Sequence, residues 1–173
     1  MKQSAISILI FFVYNVAVAQ QQKPTQPVLN YKGVGITKYL TKNLRYPKEF
    51  REDCSSGMML VAVSFSVAAN GKVNDIAVEG IKSDTSRHAL EKLILNTDGY
   101  WKVPLQKSPK MKTMFLAPIL FRREYWPEGC NRLSDNYNGD FENALNQIIS
   151  WNAKNQRHVT LPLVTVLAYP SIR

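Results

Sequence analysis

Histidine and cysteine are scarce in this chain of 173 residues, with two of each, and acids are outnumbered, 13 against 22 lysines and arginines. The first scarcity removes most metal and imidazole chemistry, because His88 and His158 stand alone and no His-x-x-His or Cys-x-x-Cys spacing occurs. Both histidines read as surface residues. Glycine is also thin: Gly33-Val34-Gly35 is a lone pair with no strand before it and no third glycine, so it does not make a nucleotide-binding loop. Ser55-Ser56 beside Cys54 has no base placed by sequence and reads as a polar loop. The acids do not pair for catalysis either. Glu49, Glu52 and Asp53 mix with Lys48 and Arg51 in a surface turn, while Asp135, Asp140 and Glu142 suit the start of a helix. No catalytic constellation assembles, so an enzyme, a cofactor, a metal site and a small-molecule substrate are not expected.

What is present is apolar content of 45%, enough for one core but not for two full-sized domains. Residues 1–19, MKQSAISILIFFVYNVAVA, combine Lys2, an apolar run from Ile6 to Tyr14, and Ala17-Val18-Ala19 before Gln20. This is the pattern of a cleavable secretory signal peptide. An uncleaved inner-membrane anchor is the alternative, but a span needs about 20 apolar residues and Asn15 and Gln20 cut this run short. The expected location is therefore the periplasm or another exported compartment.

Cleavage takes Lys2 and no acid, lowering the formal charge from +9 to +8. From Gly99 to Arg123 the chain holds Lys102, Lys107, Lys110, Lys112, Arg122 and Arg123 without an acid. Such a region favours anionic surfaces, although export and the lack of a recognisable module argue against nucleic acid. Cys54 and Cys130 remain after export, and an even count in an oxidising compartment points to one disulfide.

Periodicity divides the remainder. Residues 20–33 read as a flexible polar leader. Ile36, Tyr39, Leu40 and Leu44 follow helical spacing until Tyr46-Pro47, where proline cannot continue a helix. Val61, Val63, Phe65 and Val67 alternate with small residues, a strand with one strongly apolar face. Asn70-Gly71 then signals a hairpin with positive φ at both turn positions. In the returning strand Val73, Ile76 and Val78 slip phase once, predicting a bulge at Asn74 or Asp75. Ser83 to Ser86 caps a second helix through Ala89, Leu90, Leu93 and Ile94, and Phe115, Ala117, Ile119 and Phe121 mark a third strand.

The helix between the second and third strands is a crossover, so the third strand lies antiparallel to the first and the expected order is second, first, third. Pro118 then belongs at the edge, since a central strand would lose a ladder hydrogen bond. Cys54 and Cys130 fall at one end of that sheet, where a disulfide closing so long a loop contributes roughly 4 kcal/mol.

The run NLRYPKEFRE, the segment GMMLVAVSFSVAANGKVNDIAV, the capped helix, YWKVP and MFLAPILF together resemble the TonB carboxy-terminal domain over about residues 36 to 122. The resemblance implies an α+β fold, a three-stranded antiparallel sheet with two helices on one face, over residues 34–123. It also implies capture of an extended peptide from an outer-membrane transporter, or another envelope protein, by strand addition at an exposed edge. The partner-binding residues so implied are Phe115, Ala117, Pro118 and Ile119 on the edge, with Asn43, Arg45, Tyr46 and Pro47 beside it. Force-transmitting members have a membrane anchor and a long Pro-rich spacer, which this sequence does not display.

Residues 124–173 lie outside the resemblance as a helix-strand extension. Phe141, Ala144, Leu145, Ile148 and Ile149 form an apolar helical stripe, and Val159 to Leu167 offers one more strand that would cover a sheet edge. Two further readings stay open: a structural or envelope-polymer-binding protein using Lys102–Arg123 on anionic glycan or lipid, and a homodimer. A hydrolase is the least favoured.

Overall fold

A computed structural model of the chain describes residues 27–52, 57–104, 112–123, 137–154 and 158–168. Cys54 and Cys130, the expected disulfide, lie outside the described residues, as does the expected signal peptide. The architecture is α+β, with a five-stranded sheet.

Helix α1 (Ile36–Asn43) places Tyr39 and Leu40 in the core and ends where Leu44 turns extended before Tyr46-Pro47. A short helix, α2 (Lys48–Glu52), follows directly. Strand β2 (Met58–Ala68) pairs antiparallel with both β3 (Val73–Glu79) and β5 (Lys112–Arg123), so the order second, first, third holds for these three. The hairpin differs from expectation. Gly71 alone takes positive φ, and its N–H donates to Ala68 O while Ala68 N–H donates to Lys72 O. Three residues, not two, form the loop, a turn closed by a left-handed glycine. The predicted bulge is present: register shifts between Ser64 and Ser66, and Asp75 stands at φ 50.

Helix α3 (Asp84–Leu95) is capped by Ser83, whose side chain accepts from Ser86 N–H. It joins α1 on one sheet face, where the Tyr39 hydroxyl donates to Leu93 O. Between these helices and the sheet lie Val61, Val63, Phe65, Phe115, Ala117, Ile119 and Phe121. Trp101 closes one end of this core, 5.7 Å from the Phe65 ring and 5.1 Å from Phe115, with its indole N–H donated to buried Thr97.

Two expectations are overturned by the ends of the chain. The segment from Pro27 is not a free leader, because β1 (Val28–Leu29) pairs with β4 (Trp101–Lys102) and Leu29 is buried. The sheet is not three-stranded with helices on one face only. Helix α4 (Tyr137–Lys154) lies on the opposite face, packing Ala144, Ile148 and Trp151 on Met58, Leu60, Ala62, Leu116 and Leu120. The stripe is therefore Ala144-Ile148-Trp151, while Leu145 and Ile149 point outward. Strands β6 (Val159–Thr160) and β7 (Val164–Ala168) then pair with β5 in parallel.

Gly71 is a position where this frame tolerates little change. A Cβ there would stand 2.8 Å from the Trp101 carbonyl oxygen on a backbone at φ +80. Gly71→Ala is expected to lower unfolding stability by about 1–3 kcal/mol, read in urea or thermal unfolding.

Candidate functional site

The expected edge of the sheet is occupied. Phe115 and Leu116 are in register with Val159 and Thr160, and Ile119 to Arg123 with Val164 to Ala168. Leu161 N–H donates to Leu116 O at 2.8 Å. The tail also fills side-chain pockets. Val164 is only 2% exposed, and Val159, Leu161 and Val166 pack on the core that holds Phe115, Ile119 and Phe121. The tail thus pairs its backbone on one side of β5 and turns alternate side chains inward.

Pro118 shows how a proline lies inside a sheet. Because Leu116 turns its carbonyl toward the tail, alternation along β5 turns the Pro118 nitrogen the same way. That nitrogen meets the interval between β6 and β7, where four steps along β5, Leu116 to Leu120, correspond to five along the tail, Thr160 to Thr165. The ladder is interrupted where the donor is missing. The edge placement of Pro118 is thus corrected: β5 is central, and the proline sits at a break in its second partner.

Of the sequence-predicted contact residues, Phe115, Ala117 and Ile119 turn their side chains into the core, and Pro118 is buried. Only their backbones serve pairing. Tyr46 is half-buried and Pro47 buried, and both also line the groove between the end of α1 and α3. The Tyr46 ring lies 5.3 Å from Phe50 and edge-on to Phe121 at 5.7 Å, pinning the Tyr-Pro segment to the end of β5. Asn43 and Arg45 remain exposed, and the Asn43 amide donates to Tyr39 O. They line a groove of about 320 Å³ against α3, with Ala89, Leu90 and Lys92 on its other wall. Helix α1 touches β7, so the Tyr-Pro region and the occupied edge are neighbours. The strand expected from Val159 to Leu167 does cover this edge, in two pieces; what sequence missed is its parallel pairing with β5 and the packing of Val159, Leu161, Val164 and Val166 into the core.

The basic region is less free than its composition suggests. Arg123 is 6% exposed, donates to the Phe50 carbonyl and lies 5.0 Å from the Phe50 ring centroid. Lys112 reaches Asp75 at 2.5 Å, and this ammonium, then the Ser66 hydroxyl, holds the Asp75 carboxyl below its usual range. Lys107 and Lys110 lie outside the described residues. Among the described residues no cluster of three metal-ligating side chains occurs, and no helix is long and apolar enough to cross a membrane.

No family model, no curated protein and no solved structure matches the chain. The functional reading therefore rests on this edge and its occupant.

Burial pushes the Tyr46 hydroxyl from the ordinary 10.0 up to about 12, against the pull of the neighbouring Arg123 guanidinium. The native state thus keeps a proton that the unfolded chain releases near pH 10. Stability from this group is complete below pH 10 and falls as pH rises toward 12. In urea titrations, wild type should lose stability relative to Tyr46→Phe only within that window.

Proposed function

We propose that the chain is an exported, periplasmic protein-binding module of the TonB carboxy-terminal type. It takes an extended peptide segment of an outer-membrane transporter, or of another envelope protein, by strand addition along β5. The nucleus β3-β2-β5, with α1 and α3 on one face, is consistent with that three-stranded, two-helix plan. The observation that carries the reading is the parallel seating of β7 on Ile119–Arg123 with Val164 buried. An edge that accepts its own tail in this manner has the hydrogen-bonding groups and pockets that a guest strand requires.

The tail is then a latch. A guest from another protein competes with a tethered segment whose effective concentration is on the order of millimolar. Burial of one valine side chain contributes about 1.5–3 kcal/mol. If the latch is closed by that much, guest affinity is reduced roughly ten- to a hundredfold. A guest must also resemble the resident: parallel to β5, extended, with small branched side chains at alternate positions.

The test compares the mature chain ending at Lys154, which keeps α4, with the mature full chain. A labelled peptide spanning residues 158–168 should bind the shortened chain and bind the full chain ten- to a hundredfold more weakly. Val164→Lys in the peptide should abolish binding. From outer-membrane extracts, the shortened chain should enrich transporters that the full chain does not. A shortened chain with native circular dichroism that ignores the peptide would sink the reading. If shortening unfolds the chain, Val164→Lys placed in the full chain opens the same edge and serves the same comparison.

A further inference from the structure

The two borders of the finished sheet are not alike. Strand β3 carries the defences of a strand that must stay unpaired: a bulge, Asp75 in left-handed geometry, and Asn74, Asp75 and Glu79 exposed along it. The opposite border, β7, has none of them. From Val159 to Ala168 the sequence VTLPLVTVLA holds no charged residue, and the five residues of β7 run without a bulge. Among the described residues no strand pairs with the outer side of β7.

The direction of its backbone groups follows from the one bond that sets the phase. Leu116 O accepts from Leu161 N–H, so Leu120, four residues on, also faces the tail. In a parallel pair a residue facing its neighbour bonds the residues flanking its register partner. Leu120 is in register with Thr165, so Val164 and Val166 turn their N–H and C=O groups toward β5. Thr165 and Leu167 turn theirs outward. Beside them, Leu163 is 44% and Leu167 37% exposed.

We propose that this border is a self-association site, where two copies of the chain join their sheets by antiparallel pairing of β7 with β7 about a two-fold axis at Val166. In that register Thr165 faces Leu167 of the second copy and the reverse, each pair exchanging both main-chain bonds, about four in total. The occupant is a second copy because the strand offers nothing that selects for charge. A chain of net charge +9 that recruited an acidic segment here would need cations along the strand, and it has none. Two identical uncharged strands bring no like charges into register and set Leu167 against Thr165 across the seam. Antiparallel pairing is closed by its two-fold axis, whereas parallel stacking would leave a bare edge for further copies.

This inference stands on β7 being the outer strand and does not require that β5 take a foreign peptide. Because the contact is a short strand, the dimer is weak and concentration-dependent. Sedimentation of the mature full chain over a micromolar-to-millimolar series should show monomer passing to dimer. Added salt should strengthen it by screening the net positive charge of the two copies. Thr165→Pro removes an outward N–H and leaves the bonds of Val164 and Val166 to β5 intact, and Leu167→Lys places a charge on the seam. Each should shift the dissociation constant at least tenfold toward monomer while the melting temperature of the monomer stays near wild type. A chain that is monomeric throughout, or a dimer that survives both substitutions unchanged, overturns the proposal. Peptide capture by the chain ending at Lys154 is unaffected by either outcome, so the two readings fail separately.

Discussion

A β-strand has hydrogen-bonding groups on both sides, and the twelve residues of β5 need partners on each. Much of this architecture follows from meeting that need. β2 serves one side along the whole strand; the tail serves the other from Phe115 to Arg123. A strand paired on both sides and buried on both faces must be apolar throughout, and Phe115 to Phe121 is an unbroken apolar run. Phe115, Ala117, Ile119 and Phe121 are met by α1, α3 and the aromatic cluster at Trp101. Leu116 and Leu120 are met by α4, so the chain beyond Arg123 both roofs the second face and returns to complete the sheet.

Proline decides where that completion is interrupted. Pro118 lacks a donor on the tail side, and the tail answers with an extra residue at Leu161-Pro162-Leu163. The insertion has a second effect. It restores side-chain phase, so that Leu161 and Val164, an odd step apart, both pack into the same core. A tail without the insertion would have sent Val164 and Val166 to the opposite face. Two short strands separated by a break are thus the arrangement that fits a proline-bearing central strand.

What could be read from residues alone was what local period encodes. The alternation of Val61, Val63, Phe65 and Val67 and of Phe115 through Phe121 names two strands and their buried face. The slip between Val73 and Ile76 marks the bulge at Asp75, and Ser83 marks the start of α3. Non-local pairing was harder. Pro118 argues for an edge only if nothing in the chain can break its own ladder to suit it, and a parallel partner some forty residues away leaves no periodic trace in β5. Residues 27–33 looked like part of a leader because two-residue strands are too short to show a period, yet Leu29 is buried. Helix α4 was visible as amphipathic, but Leu145 and Ile149 widened the apparent stripe and drew the eye from Trp151. The Tyr-Pro pair was recognised as a boundary; its burial against Phe50 and Phe121 is a tertiary property.

The pairing of the tail is also less extensive than the pairing on the other side of β5. β2 holds β5 through eleven registered pairs, whereas β7 holds it through five and β6 through two. Local opening draws on the elements with the fewest buried partners, and the tail buries one valine fully and three apolar residues in part. On the proposed reading the tail leaves while β2 and β5 stay paired and the helices stay packed on them. When it leaves, two things change together. The inner side of the border regains unpaired backbone groups, and the uncharged outer strand ceases to exist as an edge. The proposed capture of a guest at β5 and the proposed joining of two copies at β7 would thus exclude each other within one molecule. A weak dimer would hold the latch shut, because pairing on both sides of β7 is lost when it peels away. On that proposal, dilution, or a guest strand abundant enough to compete with a tethered one, would shift the molecule to its open form by mass action alone.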